Sequence, residues 1–268
     1  MSWISLARSN ATIRWAAGGW SFFIVENAVL SENRTWIIDE LGDDNYHLVY
    51  GAFSTLATAS IGYAYYSIRK TAMPPQLRLW KASPTAPLAL GAWFFTSLGL
   101  AMASQAAPKM QIPVALVDSN PSTVGPSAQV PSKKLQVRCP FDFTAKRDES
   151  QLIHGLERIS RHPSLWSLGL IGIGQSLLAP AIPQRIWWLG PAAVAWLGGS
   201  HTDSRFRRGI GGTLPPEYEC QTSNIPFWAM ISGKQGSDSW GSLGEELKPL
   251  NAAAAIAMST LWVLRKVR

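Results

Sequence analysis

Two short stretches carry the groups in this chain that can do chemistry. RISRHP holds Arg158, Arg161 and His162 directly before a long apolar run, and HTDSRFRR holds His201, Asp203, Arg205 and Arg208 after another. Imidazole, carboxylate and guanidinium together can move a proton or grip an anion. His162, His201 and Asp203 are the catalytic candidates. Arg161, His162, His201 and Arg205 are the candidates for holding a cofactor or an anionic headgroup. The plainer alternative is a polar cluster that caps helix ends and touches lipid phosphates.

A second set of polar residues interrupts apolar segments. Glu26 and Asn27 fall in the first, Gln175 in the fourth. A carboxylate within a membrane segment is a functional candidate by default, set against a snorkelling or paired side chain. For Gln175 a hydrogen bond across helices is the simpler expectation. Tyr63, Tyr65 and Tyr66 read as anchors at a helix end. There is no HExxH, CxxC, GxSxG or strand-borne GxGxxG, and GIGGT is loop glycine. Four histidines make a histidine-only metal site a poor expectation, so no metal is expected. Cys139 and Cys220 lack metal-site spacing and are expected as free thiols.

These residues sit in a chain of membrane composition. Charged residues are 15% of 268, and there are 13 tryptophans. Apolar runs cover about Trp15–Leu30, Tyr46–Ile68, Ala86–Ala107, Leu165–Ile182 and Ile186–Gly199, with a shorter one at 252–264. They lack the period-two alternation of membrane strands. The expected fold is therefore all-α, a polytopic transmembrane bundle of five to six helices. The divisions are 1–107 (the first three helices), 108–157 (a Pro/Ser-rich irregular loop), 158–235 (a helical hairpin with both motifs) and 236–268 (an extension with a short apolar helix).

The net charge of +7 follows from topology. Alternate crossings put Arg8, Arg14, Arg69, Lys70, Arg78, Lys81, Arg185, Arg265, Lys266 and Arg268 on one side, free of carboxylates. The acidic 31–45 stretch falls on the other, as the positive-inside rule describes. Nucleic acid is not needed as a partner. Trp15, Trp36, Trp80, Trp187, Trp188 and Trp262 fit interfacial belts.

ELGDDNYHLVYGAFSTLATASIGYAYY, RISRHPSLWSLGLIGIGQSLL, SHTDSRFRR and TSNIPFWAMISGKQ occur in an order that resembles the NnrU-like membrane family, which includes the zeta-carotene isomerases. The resemblance spans roughly residues 20–235 without the 108–150 loop. RHP is shared more loosely with membrane methyltransferases. The resemblance implies, for the isomerase, a haem b between two histidines that assists carotenoid isomerisation. At the matching positions this chain has Glu26 or Asn27, and Gln175, which are not haem ligands. The expectation is a scaffold with no cofactor. It would act as a structural or accessory subunit of a respiratory or photosynthetic complex, touching lipid and other membrane subunits in a mitochondrial inner or plastid membrane. The alternative is a cofactor-dependent membrane enzyme acting on a hydrophobic substrate, an isomerase or a methyltransferase.

Overall fold

The computed structural model describes residues 10–79, 84–110, 114–118, 133–137, 141–142 and 152–267, with backbone only for the segments between 114 and 142. The chain is mostly helical. In order come α1 (Ala11–Glu32), α2 (Arg34–Leu41), α3 (Asp43–Lys70), α4 (Ala86–Ser104), α5 (Pro163–Leu177), α6 (Ile182–Ala193), α7 (Gly199–Arg207), α8 (Pro216–Gln221), α9 (Trp228–Ile231), α10 (Ser239–Glu246) and α11 (Pro249–Val267). The long helices form a path of neighbours: α3 on α1, α1 on α6, α6 on α5, α5 on α4, α4 on α11.

Helix ends follow local chemistry. Asn10 starts α1, its side-chain oxygen accepting from the amides of Thr12 and Ile13 at 3.0 and 3.4 Å. Proline occupies the first turn of α4, α5 and α6, where its missing N–H costs nothing. Inside α6, Pro191 cannot donate to the Trp187 carbonyl. That carbonyl instead accepts from the Trp20 indole at 2.8 Å, tying α1 to α6. Just beyond, Val194–Gly198 widen into a π turn that runs on into α7.

Glycines let the helices close in. A Cβ on Gly99 would stand 2.5 Å from the Ser167 carbonyl of α5, and one on Gly172 would stand 2.4 Å from the Trp188 carbonyl of α6. Small residues at crossings are how helices approach when apolar burial does not drive them together. Polar bonds join the same contacts. The hydroxyls of Ser97 and Ser259 pair between α4 and α11, and Trp93 donates to Thr260 at 2.8 Å.

One described helix, α4, is long and apolar enough to cross a membrane, with mean hydropathy 1.5. Helices α10 and α11 pass the same test only as a pair bent by 86°. The expected five to six spanning helices are thus not evident from length and composition. The reasons are visible. Helix α1 carries Glu26 and Asn27, α3 begins at Asp43 and Asp44, and α5 and α6 stop at 15 and 12 residues, short of the ~20 a bilayer core needs.

The irregular loop expected at 108–157 is corrected where it is described. Val114–Asp118 pairs antiparallel with Lys133–Val137, and Lys109–Met110 with Phe141–Asp142. VALVD and KKLQV flank a Pro/Ser/Gly-rich stretch, a hairpin pattern that the loop composition hides. Gly155–Arg158 then forms a 3-10 turn.

The close α4–α5 crossing makes a prediction. Gly99→Ala should lower unfolding stability in detergent by roughly 1–3 kcal/mol through overpacking. Gly62→Ala on α3, where a Cβ meets nothing within 4 Å, should cost nothing measurable.

Candidate functional site

The two motifs meet, but not as one cluster. Pro163 disfavours helical backbone at His162, which takes φ −119° and ψ 60° and carries RHP across toward α7. Arg161 donates to Asp203 through Nη2 at 2.7 Å and through Nε at 3.1 Å. His162 Nε2 lies 2.9 Å from the other Asp203 oxygen. Arg161 Nη1 donates to the Thr222 carbonyl at 3.0 Å and to its hydroxyl at 3.2 Å. All three motif side chains are largely buried, and Asp203 is almost fully so. Burial by itself raises the Asp203 carboxyl. Hydrogen bonds from His162 and then Arg161 overcome it and hold the group below the usual carboxylate range.

The segment TSNIPF closes the clasp. Arg161 N–H donates to the Ser223 carbonyl at 2.9 Å, and Ser160 Oγ to the Asn224 carbonyl at 2.6 Å. The Asn224 amide accepts from the Trp166 indole at 2.9 Å and donates to the Trp196 carbonyl at 3.1 Å. Gly199 leaves room for this. A Cβ there would lie 2.6 Å from Asn224 Oδ1 and 2.8 Å from His162 Cδ2. Phe227 takes a left-handed φ of 61° and donates its amide to Ile159. Arg158 stays apart, its guanidinium forked on Glu246 at 2.6 and 2.9 Å. Glu246 also accepts from the Gly155 amide. Burial raises the Glu246 carboxyl, but these donors outweigh it and leave it low. Thr222, Asn224 and Glu246 were not singled out from the sequence, although Thr222 and Asn224 lie in the TSNIPF motif.

His201 and Arg205 point elsewhere. His201 Nε2 lies 3.1 Å from Ser31 Oγ on α1 and 4.0 Å from Glu32. Arg208 forks onto Glu32 at 2.5 and 2.9 Å. His201 and Arg205 line a cavity of about 610 Å3 between α1, α3, α5 and α6. Its walls are apolar, with Trp20, Phe23, Leu168, Ile171 and Trp188 among them. Its polar groups include Asn27, Ser31, Tyr50, His201 and Arg205. Asn27 accepts from the Tyr50 hydroxyl at 2.5 Å and donates to Glu26, which also accepts from Ser54 at 3.2 Å. A second hollow of about 680 Å3 opens outside the clasp, lined by Arg161, Asp203, Thr222 and Lys234 among others.

The haem b implied by the resemblance does not fit these residues. Asn27 lines the cavity, whereas Glu26 and Gln175 do not. Gln175 is fully buried, its amide donating to Thr96 on α4 at 3.1 Å and accepting from Lys266 on α11 at 2.7 Å. His162 is bound to Asp203 and does not line the space that His201 lines, so the two histidines do not face each other across one site. Among the described residues Cys220 is a free, exposed thiol, and Cys139 lies outside them. No family model, curated protein or solved structure matches the chain.

Removing one partner of a buried ion pair strands the other, at a cost of about 3–5 kcal/mol. Asp203→Ala should therefore lose stability on that scale, and Arg207→Ala on the exposed Glu219 pair should lose about 1 kcal/mol or less. Asp203 and Glu246 titrate below their ordinary 3.8 and 4.5. The stability they supply is complete above those values and is lost as pH falls through the folded ones. Unfolding followed from about pH 7 down to pH 3 should show this acid loss, and Asp203→Asn with Glu246→Gln should flatten it.

Proposed function

We infer that the chain is a membrane-embedded helical bundle of the NnrU-like type that serves as a structural or accessory subunit of a larger membrane assembly, rather than as an enzyme. The observation that carries this reading is the clasp. Both oxygens of Asp203 are taken by Arg161 and His162, and Arg161 is further spent on the 222–223 backbone. The groups best suited to acid–base work are committed to holding three chain segments together.

The distribution of polarity supports the membrane part. Large apolar side chains point outward: Leu90 is 66% exposed and Leu261 70%, with Phe94, Trp196 and Met258 alike. The helix contacts hold buried Thr96, Ser97, Gln175, Asn251 and Ser259. Alongside an apolar core of Met102, Trp166 and Leu170, these buried polar groups suit lipid outside with hydrogen bonds within. Glu26 and Asn27, which lower the hydropathy of α1, bond inward to Ser54 and Tyr50. Helices α5 and α6 are short, and the apolar part of α6 runs on only through the π turn to Gly198, before α7 turns polar.

Charge placement agrees. Arg78 bridges to Ala181 at the α5–α6 turn, near Arg185, and Lys266 reaches Gln175 late in α5. Glu32, Arg208 and Asp203 gather at the other end of the bundle, around α7. On this reading the basic end faces the cytosol, matrix or stroma, and the membrane is that of a mitochondrion or plastid. The outward apolar faces of the described helices are the surfaces offered to neighbouring subunits.

Solubilised from its native membrane in mild detergent, the protein should migrate within a large stoichiometric complex that His162→Ala weakens. Recovery of the chain alone, with a haem Soret band, would refute the reading.

A further inference from the structure

The 610 Å3 cavity plays no part in the scaffold reading. Its size lies within the ~300–1,000 Å3 range of small-molecule sites. Its walls are apolar over most of their area, built from Phe23 and Ile24 of α1, Leu168 and Ile171 of α5, and Trp188 of α6. Its polar groups are Asn27, Tyr50 and Thr58 along the α1 and α3 walls, and Ser31 at the end of α1 with His201, Thr202 and Arg205 of α7 at one end.

Arg205 is the unusual member. It is 9% exposed, and its Nε has no hydrogen-bond partner among the described residues. The carboxylates near it hydrogen-bond elsewhere. Glu32 attracts Arg205 but is forked by Arg208 and lies near His201, and Asp203, two positions back on α7, is held by Arg161 and His162. Gly211, at φ +74°, lays the following loop against Arg205, and a Cβ there would sit 2.6 Å from Nη2. A buried guanidinium with an unmatched N–H is costly unless an anion completes it. The loop and the α7 register hold it at the cavity end all the same.

We propose that this cavity binds the acyl chain of an anionic lipid, with its carboxylate or phosphate seated on Arg205 beside His201 and Thr202. The tail lies between α1, α5 and α6 among the apolar walls. An anionic oxygen accepts from the guanidinium, and the His201–Ser31 pair flanks it. Neutral chains of equal length fill the walls but leave Arg205 unmatched.

The test uses the full-length protein in maltoside micelles with photoactivatable analogues of oleate, lysophosphatidate and oleyl alcohol. Cross-linked peptides should map to α1, α5 and α6, and unlabelled oleate should compete. Oleate or lysophosphatidate should label at least about tenfold more efficiently than the alcohol. Arg205→Gln should abolish that preference while retaining alcohol labelling, which also shows that the variant is folded. Ala28→Phe, which places bulk in the cavity wall, should suppress all three probes. Stronger labelling by oleate assigns a free fatty acid, and stronger labelling by lysophosphatidate assigns a phospholipid. Equal labelling by alcohol and acids, or acid preference surviving Arg205→Gln, would overturn the proposal. The scaffold reading stands or falls separately, on complex migration.

Discussion

A carboxylate with almost no contact with water, Asp203, sets the geometry of half the molecule. Burying that charge is expensive, and it is tolerated only because Arg161 and His162 meet both of its oxygens. Arg161 then has donors left over, and these fix the carbonyls of the TSNIPF segment. One charge thus joins the start of α5, the middle of α7 and the loop before α9. The α5–α6 hairpin and the chain that returns across it are held in one arrangement. The cavity between α1, α3, α5 and α6 inherits its shape from that arrangement, since α7 supplies its polar end.

Much of this was legible, and the failures have physical causes. Helix positions follow from the apolar runs, and the meeting of RHP with HTDSR follows from an α5–α6 hairpin that returns the chain to the same end. His201 and Asp203 look like one cluster in the sequence because they are two residues apart. On a helix that separation is about 200°, so one faces the clasp and the other the cavity. The partners of Gln175, Thr96 and Lys266, lie far away in the chain. No local signal announces them. The Trp20–Trp187 bond was hidden for the same reason. Pro191 hinted at an orphan carbonyl, but not at what would fill it. The 114–118 and 133–137 ladder was masked by the Pro/Ser composition between its strands.

The burial of small polar groups at the helix contacts, with large apolar groups outside, links the fold to the proposed role. In lipid, a helix pair gains little from apolar contact and more from close approach and internal hydrogen bonds. Gly99, Gly172, Ser97, Ser259 and Gln175 provide both. Glu26 on α1 and Thr96 on α4 are both buried polar residues of this kind. A bundle built this way needs no catalytic centre to account for its buried polar residues. Among the described residues several buried polar atoms lack a partner, Glu26 Oε2 and Arg34 Nε among them, and Arg205 Nε is the one that belongs to a guanidinium lining the cavity.

The most direct measurement of the central claim is a double-mutant cycle on unfolding between Arg161 and Asp203, with Arg161→Met, Asp203→Leu and the pair. If the clasp is a structural unit, the two losses will be far from additive, with coupling of about 0.5–3 kcal/mol, and the double variant will recover part of the stability of either single one. Losses that add to within about 0.5 kcal/mol would mean that the two side chains act independently and that the carboxylate does not organise the fold.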